Sequence, residues 1–178
     1  MSILRFSGVL ASLVFLISVL ISISYNSWFD FNKNAFSDLG GSQAVNPWIF
    51  NTGLIISGIL VILLALHMIL RSRTALEYVG GSYLSIGGVF LSLIGVFPEG
   101  TRPHFFISTW FFIQTFLGAL IYGIGVMRRD RILAISIAIL FILGLLGVFI
   151  KWSSIAQLEA YEIVLLSIFS ALYALRVR

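Results

Sequence analysis

The sequence predicts an all-α integral membrane protein: a six-helix transmembrane bundle with both termini on one side and one long outer loop between helices 1 and 2. Of its 178 residues, 60% are hydrophobic and only 10% are charged. The mean hydropathy is +1.08, which is more apolar than a soluble core of this size requires. Apolar runs of about 20 residues, the length that a bilayer core demands, recur along the chain. We expect one domain, spanning residues 1–178.

The six predicted helices are read from six apolar runs. The first, from about Ile3 to Ser24, is longer than the apolar core of roughly 7 to 15 residues in a signal peptide, so it is expected to stay as a helix. The other five runs are Trp48 to Leu70, Tyr78 to Phe97, His104 to Met127, Ile132 to Ile150 and Ile155 to Leu175.

The basic residues predict the orientation. Of the eleven Lys and Arg residues, eight fall at the termini and in the second and fourth connections, and three, Lys33, Arg102 and Lys151, fall in the other connections. The positive-inside rule therefore places both termini in the cytoplasm of a multi-pass cell-membrane protein. The long connection from Tyr25 to Pro47 mixes aromatic and polar residues and is expected to lie on the outer membrane surface and cap the bundle.

Small residues recur along the third helix at spacings of three and four, which places them on one stripe. Such a stripe lets helix backbones approach closely in lipid and predicts that the third helix is central. The alternative is a homodimer face, so the oligomeric state stays open. The stripe consists of Gly81, Ser85, Gly88, Ser92 and Gly95.

Several functions are excluded or unsupported. The chain has no Cys, which excludes disulfides, thiolate nucleophiles and Cys-based metal sites, and its two His residues cannot form a three-His zinc site. It also lacks a Gly-x-Ser-x-Gly elbow, a His-Glu-x-x-His pair and a Gly-rich phosphate loop. We predict no metal and no cofactor, and the scattered basic residues do not indicate nucleic-acid binding.

Two polar segments on the outer side, residues 34–41 and 97–105, predict a site. Pro103 suits the first turn of the fourth helix and puts His104 at the positive helix end, which favours a neutral imidazole able to act as a base or an acceptor. The alternative is an interfacial His that is bonded to the outer loop. Asp38 and Glu99 either face each other across the bundle mouth as an acid–base pair, or act structurally. In the structural alternative Asp38 caps a short helix and Glu99 pairs with Arg102. Ser37 would complete a Ser–His–acid set.

Five further residues are predicted to contact a ligand near this site: Arg102, Asn51, Ser108, Glu162 and Trp48. Ser108 lies one turn below His104 and extends a polar stripe. Glu162 lies about two turns into the sixth helix, where a carboxylate is costly unless it pairs or meets water. It is either functional or a shallow side chain that reaches outward beside Glu159.

These motifs carry a resemblance. The resemblance lies in the element Ser37-Asp38-Leu39-Gly40, the Asn46-Pro47 start of the second helix, and the Gly-Val-Phe-Pro-Glu run that ends at Glu99 and is followed by His104. Through these motifs the chain resembles the uncharacterised, mostly archaeal membrane family known as domain of unknown function 998. The resemblance covers essentially the whole chain. It implies the fold and the location of the site, but no activity, because that family has none assigned.

Three functional hypotheses follow. The leading one is an outer polar pocket that binds a membrane lipid or another amphiphile, with an enzymatic version that adds hydrolysis or group transfer by His104 and a carboxylate. The second is a non-catalytic accessory or scaffold subunit that has a protein partner in a membrane complex. The third is a small transporter.

Overall fold

The computed structural model describes residues 2–177 and contains six α-helices in that range, with no strand. They are α1 (Ser7–Tyr25), α2 (Pro47–Arg71), α3 (Ala75–Val96), α4 (His104–Val126), α5 (Arg131–Gly147) and α6 (Ile155–Arg176). Two 3-10 helices accompany them: one at Ser2–Phe6, and one at Phe36–Gly40, here called the loop helix. The predicted all-α, six-helix architecture is confirmed. Within the described range, five helices are long and apolar enough to cross a membrane, and α5 is shorter, with 17 residues.

Polar side chains and one proline fix where the helices begin. Thr74, Asp130 and Ser154 each accept a hydrogen bond from a backbone N–H three residues ahead, which satisfies a donor that the first helical turn leaves open. In α2, Pro47 occupies the first helical position, where its missing N–H costs nothing. The fifth helix ends three residues before the predicted Ile150, because the backbone turns after Gly147.

The six helices form a ring. Each helix packs against the next in sequence, α1 packs against α6, and α4 also touches α6. Both termini and the α2–α3 and α4–α5 connections lie at one end of the ring, called the terminal end. The other three connections lie at the opposite end, called the loop end. At the terminal end, Nη1 of Arg5 donates to the carbonyl of Val177 over 3.4 Å.

The glycines of α3 bring its backbone close to both neighbouring helices. A methyl group on Gly88 would lie 2.8 Å from the carbonyl oxygen of Gly58, so the predicted stripe packs against α2. A second pair, Gly80 and Gly87, faces α4 and was not predicted. The prediction that α3 is central holds only in part: its contacts with α2 and α4 are the most extensive between helices, but it is one member of the ring, no more buried than α2, and its outer face carries exposed apolar side chains such as Val89.

Candidate functional site

The loop helix folds over the loop end of the ring and is fixed there by polar contacts. The backbone N–H of Phe36 donates to Oε2 of Glu159 over 2.7 Å, and Nδ2 of Asn51 donates to the carbonyl of Gly40 over 3.0 Å. Just before it, the carbonyl of Asn34 accepts from the N–H of Ala156 over 2.9 Å. The loop helix is therefore bound to both α2 and α6.

Asp38 has a structural contact inside this segment. Its Oδ2 accepts the backbone N–H of Ala35 over 2.9 Å and so closes the first turn of the loop helix. Of the two alternatives for Asp38, the geometry favours the cap.

Three predicted site residues, Glu99, His104 and Ser37, do come together. Nε2 of His104 lies 3.0 Å from Oε2 of Glu99, and Oγ of Ser37 lies 3.4 Å from the same oxygen. The His104 side chain is 8% exposed and that of Glu99 is 44% exposed, so this pair links the bundle interior to its surface. Among the residues of the described chain, Glu99 pairs with His104 in place of the expected Arg102, which is exposed.

Both nitrogens of His104 are occupied. Nδ1 lies 2.9 Å from the carbonyl oxygen of Phe97, which can only accept, so Nδ1 carries a proton. Nε2 faces Glu99, and their 3.0 Å contact requires one proton between them. The pair is either imidazolium with carboxylate or neutral imidazole with carboxylic acid. In either state both nitrogens are engaged, so His104 is bonded to the outer connection and is not free to act as a base on another group.

The order of the three groups also differs from a catalytic triad. In a Ser–His–acid triad the imidazole lies between the hydroxyl and the carboxylate. Here the carboxylate of Glu99 lies between Ser37 and His104, and no imidazole nitrogen remains for the Ser37 proton. The predicted nucleophile–base pair is therefore not assembled in this conformation.

A cavity of about 100 Å³ lies inside the ring beneath these residues. Its polar groups at the loop end come from Ser37, His104 and Glu159. Deeper hydroxyls bond backbone carbonyls: Ser57 donates to Ala11 over 3.1 Å and Thr115 to Phe111 over 2.7 Å. The deep walls therefore offer few free polar groups. Their large apolar side chains are Phe15, Phe36, Phe50, Leu54, Val61, Leu64, Leu84, Leu91, Ile94, Phe111, Phe112, Ile163, Leu166 and Phe169.

The cavity is small in volume, but its lining residues span several helical turns. Along α4 it extends from His104 to Thr115, which is roughly 16 Å at the helical rise of 1.5 Å per residue. That length is about half of the ~30 Å hydrocarbon core of a bilayer, or the depth of one leaflet.

Of the other residues predicted to contact a ligand, only some lie near the cavity. Ser108 lines the cavity and donates to the carbonyl of Phe105 over 3.2 Å. Asn51 supports the loop helix and does not line the cavity. Trp48 is 64% exposed on the outside of α2, because the first turn of that helix points it away from the ring. Glu162 is buried against Gly147 at the interface of α6 with α5, so its expected place on the cavity wall is wrong.

Glu159 is the site residue that the sequence prediction missed. It is not among the predicted site residues, yet it binds the loop helix and lines the cavity. A helical period places Glu159 on one face with Ile163, Leu166 and Ser170, all of which line the cavity. Glu162 packs against Gly147 of α5. Periodicity alone does not separate the two glutamates, because Leu166 and Phe169, four and seven residues after Glu162, also line the cavity.

The fold and site define a class: a multi-pass helical membrane protein with an internal apolar cavity that is polar at one end. In the described chain, no group of three or more His, Asp and Glu residues is placed to hold a metal ion. Over residues 9–176 the chain matches the family described as "Protein of unknown function (DUF998)", and it belongs to that family, which confirms the resemblance. Comparisons with curated proteins and with solved structures found no match.

Proposed function

We propose that this protein binds a membrane lipid or another amphiphile by its headgroup at the loop end, with the first methylenes of one chain inside the ring of helices. The observation that carries the proposal is the cavity itself, whose walls are mostly apolar and whose ionisable groups, His104 and Glu159, lie with Ser37 at the loop end. Binding sites for small molecules have this composition, with mostly apolar walls and a few convergent polar groups.

The polar groups indicate the chemistry of the headgroup. Glu159 uses Oε2 for the loop helix, and its other carboxylate oxygen has no hydrogen bond with the described residues. That oxygen is an acceptor, so it suits a headgroup that donates, such as a polyol or an amine. We infer a ligand with hydroxyl or ammonium groups near its polar end.

The ligand is proposed to reach the cavity sideways from the membrane. The loop helix covers the loop end, whereas several lining residues at the seam between α1 and α6 are only partly buried. These residues are Ser12, Phe15, Ile163 and Ser167. At this seam the hydroxyl oxygens of Ser167 and Ser12 lie 2.9 Å apart, and each hydroxyl can donate its one proton to a backbone carbonyl of its own helix, so the contact separates without leaving a donor unpaired.

Binding is better supported than hydrolysis. A hydrolase that uses Ser37 needs a base beside its hydroxyl, and His104 is engaged on both nitrogens. The proposal therefore assigns His104, Glu99 and Ser37 to holding the loop end together above the ligand.

A pair of adjacent variants on α6 tests the proposal. Ile163→Trp fills the cavity, whereas Val164→Trp adds the same side chain to the outer face, where Val164 is 56% exposed. After purification in mild detergent, lipid extraction and mass spectrometry should find one enriched amphiphile on the wild type and on Val164→Trp, and a strongly reduced amount on Ile163→Trp.

The control is the thermal stability and size-exclusion profile of each variant, which should show that both are folded. Equal amphiphile content in the two variants, or none in the wild type, would contradict the proposal. A stoichiometric protein that copurifies in place of a lipid would favour the accessory-subunit hypothesis.

The orientation in the cell membrane is part of the proposal. Both termini are assigned to the cytoplasm on the basis of eight basic residues at the terminal end against three at the loop end. Because the chain has no native Cys, Arg128→Cys and Lys33→Cys give clean single labels. In intact cells an impermeant maleimide should label Lys33→Cys only, and labelling of Arg128→Cys instead would reverse the orientation.

A further inference from the structure

A second pocket lies at the terminal end, opposite the loop end of the cavity. It has a volume of about 460 Å³ and is lined by four arginines from three different parts of the chain. Arg71 ends α2, Arg73 follows it in the α2–α3 connection, Arg129 lies in the α4–α5 connection and Arg176 ends α6. Here this group is called the arginine pocket.

Two of the arginines are held in place by carboxylates. Nη2 of Arg129 lies 3.0 Å from Oε2 of Glu77, a residue that is only 1% exposed. Nε of Arg176 lies 2.7 Å from Oδ2 of Asp130, which also lines the pocket. A guanidinium has five N–H donors, so each of these contacts leaves donors free while it fixes the position of the group.

The other two arginines, Arg71 and Arg73, have no ion pair with any residue of the described chain. Among residues 2–177, the four arginines of the pocket therefore pair with two carboxylates, those of Glu77 and Asp130, and 4 − 2 leaves two arginine charges without an ion pair around one concave surface. Like charges that converge in this way repel one another, and an anion with two negative charges would offset that repulsion.

We propose that the arginine pocket binds a dianionic phosphate group. Guanidinium groups pair with phosphate through two parallel hydrogen bonds, and four of them on one wall can engage several phosphate oxygens at once. The group is either the phosphomonoester headgroup of a lipid or free inorganic phosphate. Basic pockets between the ends of membrane helices are suited to anionic headgroups. The arginine pocket shares no residue with the cavity, so the proposal does not rest on the proposed function.

The test uses the full-length protein in nanodiscs of phosphatidylcholine, with or without phosphatidic acid, and separately with inorganic phosphate in the buffer. The variant Arg71→Gln/Arg73→Gln removes the two unpaired charges. Its matched control, Arg128→Gln/Arg131→Gln, removes two exposed charges from the same end, outside the pocket. Thermal unfolding and lipid binding are measured for all three proteins.

Phosphatidic acid or inorganic phosphate should raise the melting temperature of the wild type and the control. The response should be lost in Arg71→Gln/Arg73→Gln, with binding weakened at least about tenfold. If inorganic phosphate acts alone and competes with the lipid, the source is free phosphate; if it neither stabilises nor competes, the source is the headgroup. An equal loss in both double variants would overturn the proposal. So would a wild type that responds to neither ligand, a result that requires no variant to fold.

Discussion

Adding one methyl group to Gly80 tests the order of helices in the ring. Gly80 lies where α3 meets α4, and its methyl group would be 2.5 Å from the backbone nitrogen of Tyr122 and 2.7 Å from the carbonyl oxygen of Gly118. Ordinary van der Waals contact begins at 3.4 Å. Because both neighbours are backbone atoms, neither can rotate away, and the two helices must separate by roughly 1 Å.

The neighbouring glycine provides the matched control. In Gly81→Ala the methyl group first meets Cγ1 of Ile69 at 2.8 Å, a side-chain atom that can move. Both substitutions gain the same helix propensity, about 1 kcal/mol, so that gain cancels when they are compared. Overpacking against rigid neighbours costs about 1 to 3 kcal/mol. We therefore expect Gly80→Ala to be about 1 to 2 kcal/mol less stable than Gly81→Ala.

The assay is reversible unfolding in mixed micelles of mild detergent and SDS, followed by tryptophan fluorescence. The Gly80→Ala transition should move to a lower SDS fraction, while that of Gly81→Ala stays near the wild type. If the two transitions coincide, α3 and α4 do not touch through their backbones, and the ring order would have to be abandoned.

Two further predictions concern buried and surface polar groups at the terminal end. The hydroxyl of Tyr173 lies 2.7 Å from Nδ1 of buried His67, whereas the buried hydroxyl of Tyr122 has no partner among residues 2–177. Tyr173→Phe should therefore lower the free energy of unfolding, measured in the same micelles, by about 1 to 3 kcal/mol, whereas Tyr122→Phe should leave it unchanged or raise it. Equal losses in the two variants would exclude the hydrogen bond between Tyr173 and His67. The hydrogen bond from Arg176 lowers the pKa of Asp130 below its ordinary value of 3.8. The pair therefore stabilises the fold above that pH, and this contribution is lost as the pH falls through the folded-state pKa of Asp130. A stability–pH profile of Asp130→Asn should be lower than the wild type at pH 7 and converge with it in acid; parallel profiles would show that the pair contributes nothing.

The sequence predicted the number of helices well, since length and polarity alone identify segments that suit a bilayer. It also predicted that Glu99 and His104 lie in one site, because the short turn with Pro98 and Pro103 leaves little freedom between them. The ring was not predictable in the same way. Which helices pack against each other depends on which face of each helix carries small residues. α3 carries glycines on two faces, and only the face toward α2 was predicted.

The two glutamates of α6 show why the site was only partly predicted. Glu159 and Glu162 are both acidic residues near the same end of one helix, and composition does not distinguish them. The three residues from Glu159 to Glu162 turn the helix by about 300°, so the two side chains point in directions about 60° apart around its axis. Glu159 therefore faces the cavity and Glu162 faces α5. Assigning them required knowing which helices flank α6 on each side.

The short fifth helix has a consequence for the surrounding bilayer. With 17 residues, α5 is roughly 25 Å long, several ångströms less than the ~30 Å hydrocarbon core of a typical membrane. The three apolar residues that follow it, Val148, Phe149 and Ile150, are all at least 50% exposed and do not continue the helix. α2, with 25 residues, is more than long enough for the same core. We therefore expect an asymmetric hydrophobic mismatch, in which lipid beside α5 is compressed and lipid beside α2 is not, at a cost of fractions of a kcal/mol per Å.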